Sequence, residues 1–272
     1  MYSIMKLTKN IKKLSYSFLF IALIPFMGCK DGGINLFSLQ KDIDLGKQVE
    51  AEIASNPSEY PLLSESQYPE AYGHLRRITQ TLLNSGEVSH KDDFEWNTYI
   101  IQDDNVLNAF CTPGGYIYVY TGLIKYLDQE SHLAGVMGHE IAHADRRHST
   151  DAMTRQYGVS ILLQIALGEN PGALTQLATQ IAELSYSRKA ESEADDYSVL
   201  YLTPTEFQGN GAAGFFQKLL DQGQGGGTPT FLSTHPSPDN RVENINAKWK
   251  EIGGQPKEEV AGRYAAFKAS LP

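Results

Sequence analysis

Apolar positions along the chain repeat with two different periods. From Val49 and Ile53 the spacing is helical and runs on beyond Pro69 through His74 to Leu83, which predicts two N-terminal helices. Residues 96–102 read as a strand. Tyr116-Ile-Tyr-Val-Tyr120 alternates aromatic and aliphatic residues after the turn signal Pro113, Gly114 and Gly115, so a small antiparallel sheet is expected here. From Leu123 onward the helical period returns, with helices expected over 131–147, 151–167, 174–202 and 211–220. The fold class is α+β, mostly helical. The apolar stretch 159–167 is too short for a membrane span, because a helix needs roughly 20 apolar residues to cross a bilayer, and it reads as a core helix. The glycine-rich tract 223–227 is expected to be a flexible loop, and no repeat of 20–50 residues is present.

The first stretch follows a different logic. Lys6, Lys9, Lys12 and Lys13 precede an apolar run of about fifteen residues from Leu14 to Gly28, which ends at Cys29. That layout is the one of an export signal over 1–28, with Cys29 as a lipoprotein cysteine and 29–44 as a tether to a domain spanning 45–272. Without residues 1–28 the chain loses four of its 23 basic residues and none of its 32 acidic ones, leaving 19 against 32 and a formal charge of −13. Such a balance argues against nucleic acid as a partner, since neutralising phosphates takes lysine and arginine. With Cys29 acylated, Cys111 has no partner for an internal disulfide and reads as a small buried apolar residue. Stability then falls to packing and metal.

The chemistry concentrates in His139-Glu-Ile-Ala-His143. On a helix, His139 and His143 are four residues apart and project from one face one turn apart, so both can reach a single cation. Imidazole suits zinc, and a catalytic zinc typically has three protein ligands so that a water can hold the fourth position. Glu140, about 100° around the helix from His139, is placed to act as general base on that water. The flanking Leu133 to Met137, Ile141 and Ala142 are apolar or small, so this helix enters a core where unpaired histidines would be costly.

Two histidines leave the ligand set one short. His148 follows His143 by five residues, whereas the metzincin spacing requires glycine and histidine where Arg146 and Ser149 stand, so His148 is read as a surface residue or a support behind the ligands. A carboxylate from Glu191-Ser-Glu-Ala-Asp-Asp196 is the better candidate, and spacing alone does not choose between Glu191 and Glu193. HEIAH followed by SRKAESEADDYS resembles the gluzincin family of zinc metallopeptidases that includes the HtpX and CAAX prenyl protease types. The likeness extends from about Leu45 to Arg241 through Asn108-Ala-Phe, Pro113-Gly-Gly-Tyr-Ile-Tyr-Val and Ser233-Thr-His-Pro236, and is nearest to the compact periplasmic lipoprotein branch. The resemblance implies a zincin-like domain with its sheet beside the HExxH helix and one Zn²⁺ per chain. It implies Glu191 as third ligand, Asp195 as the group that orients a metal-bound histidine, and Glu193 as a neighbour without metal contact.

Tyr116 to Tyr120 is taken as an edge strand onto which an extended peptide adds by main-chain hydrogen bonds, with Tyr116 and Tyr118 facing substrate. The resemblance places Asn108 near the same groove. It also puts His235 and Arg241 near zinc, where they would stabilise the oxyanion of the tetrahedral intermediate, or where His235 would dock onto the metal in a resting state. The reading is an exported, lipid-anchored zinc metalloendopeptidase of a bacterial envelope, facing the periplasm and cleaving unfolded or misassembled envelope proteins. An assembly or chaperone-like lipoprotein with little proteolysis is the competing reading, which the presence of Glu140 opposes. A self-inhibited protease that needs an activator is the third.

Overall fold

Leu45, Val49 and Ile53, buried along one side, give α1 (Leu39–Ser55) its packing face, and the Ser38 hydroxyl caps its first turn by accepting from Lys41 N at 3.3 Å. The computed structural model describes residues 37–221, 230–236 and 240–272. The stretch 1–28 read as an export signal, Cys29 and the tract 223–227 lie outside the described residues. Helix α1 starts within the stretch 29–44 read as tether, because the apolar stripe begins earlier than Val49. After α2 (Pro69–Leu83) come β1 (Thr98–Ile101), β2 (Ala109–Thr112) and β3 (Tyr116–Tyr120).

The sheet order is β1-β3-β2, with β1 parallel and β2 antiparallel to β3. The sheet is therefore mixed, where an antiparallel one was expected. Strands β2 and β3 form a hairpin whose turn uses Gly114 and Gly115 at φ of 80° and 86°. A Cβ on Gly115 would come within 2.9 Å of the Trp96 ring, so the turn closes tightly on that side chain. The free side of β1 is partly paired, Leu63 N donating to Ile100 O and Gln102 N to Pro61 O, both at 2.8 Å. Alternation divides β3 between two cores. Ile117 and Val119 join the cluster of Leu133, Met137 and Ile141, whereas Tyr116, Tyr118 and Tyr120 join that of Leu45, Val49, Leu162 and Leu177.

Helix α3 (Thr121–Tyr126) leads to α4 (Glu130–Asp145), in which every residue except His132 is buried. An apolar stripe could not achieve that. Instead small residues admit neighbours on all sides: a Cβ on Gly135 would stand 2.1 Å from Ala212 N, and one on Gly138 would stand 2.7 Å from Leu202 Cδ1. Both ends of α4 are fastened. Buried Glu130 pairs with Arg77 and Arg263, while buried Asp145 accepts from Ser89 N (3.1 Å), His90 N (2.7 Å) and the Tyr201 hydroxyl (2.7 Å). At the turn that follows, Arg147 adopts φ 61° and donates to Asp42 Oδ2 at 2.5 Å and Phe37 O at 2.6 Å.

Two expected helices are broken. The 151–167 segment divides into α5 (His148–Tyr157) and α6 (Val159–Ala166) at Gly158, whose φ of 80° and ψ of 152° suit only glycine. The 174–202 segment divides into α7 (Pro171–Gln180), a 3-10 turn (Ile181–Glu183), extended residues, and α8 (Arg188–Leu202). The Ser187 hydroxyl restarts the helix by accepting from Ala190 N at 3.2 Å, a polar signal that apolar periodicity does not register. Helices α9 (Gly211–Asp221), α10 (Thr230–Thr234), α11 (Arg241–Glu251) and α12 (Arg263–Ala269) complete the described chain. Among the described residues no helix is long and apolar enough to cross a membrane.

Candidate active site and metal centre

Helix α4 presents His139 and His143 toward α8, whose first turn carries Glu191, and the residue after α10 brings in His235. One ligand atom from each of these four lies within 4.8 Å of all the others, and all four side chains are buried. His139 Nε2 is 3.0 Å from His143 Nε2 and 3.3 Å from His235 Nδ1. Glu191 Oε1 is 3.1 Å from His235 Nδ1 and 3.3 Å from His143 Nε2. Ligands of a tetrahedral zinc at 2.0–2.1 Å stand about 3.3 Å from one another. The donor set therefore fits one divalent ion in both chemistry and spacing. Fit is also visible at Glu140: it is fully buried, neither carboxylate oxygen has a hydrogen-bond partner among the described residues, and His235 Nε2 lies 3.5 Å from Oε1. An orphaned carboxylate at this depth suits a base that works on a reactant beside a cation.

Electrostatics follow from burial. Desolvation raises the Glu140 carboxyl above its ordinary value against the pull of His235 and His139, which favours a proton acceptor. Desolvation also holds the His143 ring far below the usual imidazole range, in the neutral form that a metal ligand requires.

Behind the ligands, Asp195 Oδ1 lies 2.9 Å from His139 Nδ1, the place expected for the group that orients this ring. Arg241 clamps Asp195 through Nε and Nη2, both at 2.7 Å, and its Nη2 is 3.0 Å from Glu191 Oε2. Its guanidinium carbon stacks 3.9 Å from the Phe216 ring centroid, and Nη1 is buried without a hydrogen-bond partner among the described residues. Glu193 makes no contact with the four-residue cluster; it pairs with Arg146 at 2.7 Å and His148 at 3.5 Å, chiefly His148 drawing its carboxyl down to about 2.

The groove differs from the expected one. Strand β3 is the central strand, paired on both sides, and Tyr116 and Tyr118 are buried in the core, so neither offers an edge to substrate. A four-residue strand too short to stand out in the sequence, β2, occupies the edge. Even that edge is covered by the chain itself: Leu107 O accepts from Phe231 N at 3.1 Å and Cys111 O from the Ser149 hydroxyl at 3.2 Å. Asn108, fully buried at the head of β2, donates through Nδ2 to Ala182 O at 3.4 Å. Cys111 is buried, and desolvation with the nearby Glu140 raises its thiol well above the ordinary value, so it is no nucleophile. Sequence reasoning missed Tyr186, whose ring stacks on His143 at 3.7 Å between centroids and whose backbone N donates to Thr234 O at 3.2 Å. A lone tyrosine ahead of a capping serine carries no signal of that role.

Comparison with known proteins places this arrangement. Residues 69–248 match peptidase family M48. The chain is 33% identical over 191 residues to the mitochondrial metalloendopeptidase OMA1 of Schizosaccharomyces pombe, covering 69% of this chain and 56% of the relative. It is 30% identical over 275 residues to the β-barrel assembly-enhancing protease of Yersinia pestis, covering 92% and 54%. With the metalloprotease YcaL of Escherichia coli it shares 27% identity over 188 residues, covering 66% and 69%. The chain thus spans about half the length of the first two.

Proposed function

The chain belongs to peptidase family M48, and on that premise we propose that it is a zinc-dependent metalloendopeptidase, with His139, His143 and Glu191 holding one Zn²⁺. The observation that carries this reading is the four buried donor groups gathered within 4.8 Å beside the unpartnered Glu140. Held by these residues, a zinc ion would supply Lewis acidity and would lower the pKa of a water beside it. Glu140 takes the proton of the attacking water on one carboxylate oxygen and delivers it to the leaving amide nitrogen. Arg241, pinned by Asp195, keeps Nη1 free to donate to the oxyanion, and Asp195 fixes the His139 ring.

Polypeptides are the substrates, as for any peptidase. The relatives named for β-barrel assembly support unfolded or misassembled envelope proteins as the substrate class. With the signal-like 1–28 and Cys29, they also support an exported lipoprotein tethered to a membrane in the periplasm. Glu140→Gln in the full chain tests the activity: zinc content stays at one equivalent while casein cleavage falls by 10² or more. Unchanged cleavage would refute the assignment, and zinc binding with no wild-type cleavage under any condition would favour the assembly role.

A specific observation favours a self-inhibited resting form. His235 Nδ1 stands in the ligand cluster itself, where a fourth protein ligand takes the place a water needs, and Phe231 and Tyr186 lie over the site. His235→Ala is then expected to raise basal cleavage; a loss as deep as that of Glu140→Gln would make His235 part of the chemistry instead.

A further inference from the structure

His139 and His143 are supported in different ways. The Nδ1 of His139 meets a carboxylate directly, at Asp195. The Nδ1 of His143 meets another imidazole: His148 Nδ1 at 3.0 Å, and this ring in turn has Nε2 at 3.5 Å from Glu193 Oε2. The far oxygen of Glu193 accepts from Arg146 Nε at 2.7 Å, with the Arg146 guanidinium 4.6 Å from the Tyr197 ring centroid. Within this row His143 is fully buried and His148 is 8% exposed, so water competes little for the contacts.

Two ring nitrogens that meet can share only one proton. The Nε2 of His143 faces His139 and Glu191, where a cation needs its lone pair, so the proton of His143 resides on Nδ1. His148 must then accept through Nδ1 and carry its own proton on Nε2, the atom that faces Glu193. Without that carboxylate, His148 can place its proton on Nδ1 and set two N–H groups head to head against the metal ligand.

We propose that His148 and Glu193 form a positioning relay that fixes the tautomer and orientation of His143, with Arg146 holding the carboxylate in place. The relay rests on the metal reading of the cluster. It does for His143 through two side chains what Asp195 does for His139 through one, and it gives a role to Arg146, His148 and Glu193, which the reaction itself leaves idle.

The test uses the full chain and zinc alone as probe. Zinc dissociation constants are measured by chelator competition for wild type, Glu193→Gln, His148→Leu and His148→Asn, together with urea unfolding of each metal-free protein. Glu193→Gln and His148→Leu are expected to weaken zinc about 10- to 100-fold, the usual effect of losing a group that orients a ligand, with metal-free unfolding near that of wild type. His148→Asn keeps an acceptor near the Nδ1 position and recovers most of the affinity, and in that background Glu193→Gln has no further effect. Should His148→Leu fail to fold, Glu193→Gln carries the measurement. Wild-type affinity in both Glu193→Gln and His148→Leu overturns the relay, as does a loss matched by an equal loss of metal-free stability. A wild-type chain that takes up no zinc would instead overturn the metal reading itself.

Discussion

Replacing glycine by alanine inside a helix removes backbone freedom from the unfolded chain, and in an open position it stabilises by about 0.5–1 kcal/mol. Gly73 on α2 is such a position, exposed and with nothing within 4 Å of an added Cβ. Gly135 on α4 is the opposite case. An added Cβ would lie 2.1 Å from Ala212 N and 2.6 Å from Ala212 Cα, more than 1 Å inside contact distance and against main chain that no rotamer change can clear. Overpacking of this kind costs about 1–3 kcal/mol or more, which outweighs the propensity gain. Gly73→Ala should therefore raise the urea midpoint, whereas Gly135→Ala should lower stability by about 1–2 kcal/mol, both at fixed zinc. Because Gly135 lies one turn before His139, Gly135→Ala should also weaken zinc binding, which Gly73→Ala leaves alone. Equal stabilisation by both would refute the close main-chain approach of α4 and α9 on which the placement of the histidines depends.

Other consequences can be checked with the same protein. Asp195→Asn leaves one acceptor oxygen where two carboxylate oxygens serve the buried Arg241 and His139, and removes the charge that faces both; a loss of about 3 kcal/mol in denaturant titration and a 10- to 100-fold weaker zinc complex are expected, and unchanged values on both counts would remove Asp195 from the site. Chelation should lower the melting temperature, since ligand bound only to the folded state adds stability by mass action; an identical melting curve with and without chelator would contradict a metal in this cluster. Cys111 should react with a thiol reagent only after unfolding, at a rate that rises with urea through the main transition, and rapid labelling of the native chain would show that β2 is not covered as described.

The histidine helix was readable because its constraint is local: His139, Glu140 and His143 lie within five positions, and a 3.6-residue period puts them on a common side. Glu191 required more. Spacing left it level with Glu193, and what separates them is the break before α8, where Ser187 restarts the helix so that Glu191 faces α4 and Glu193 faces Arg146. That break is invisible to apolar periodicity, as is the one at Gly158, which differs from other glycines only in its dihedral angles. Strand order fails for a related reason: alternation in Tyr116–Tyr120 reports burial on two faces, which a central strand satisfies better than an edge strand, and nothing local tells β2 which neighbour it takes. Contacts such as Tyr186 on His143 join residues whose proximity only the finished fold creates.

Helix α4 is anchored like a beam built into walls at either end, by Arg77 and Arg263 on Glu130 and by the loop at Ser89 and His90, with Tyr201, on Asp145. Beyond its last turn Arg147 ties it to Asp42, 105 residues earlier in the chain. A beam so fixed cannot tilt to admit a peptide. Any displacement that uncovers the histidines is expected in the short spans whose rings rest on them, around Tyr186 and Phe231, rather than in this helix.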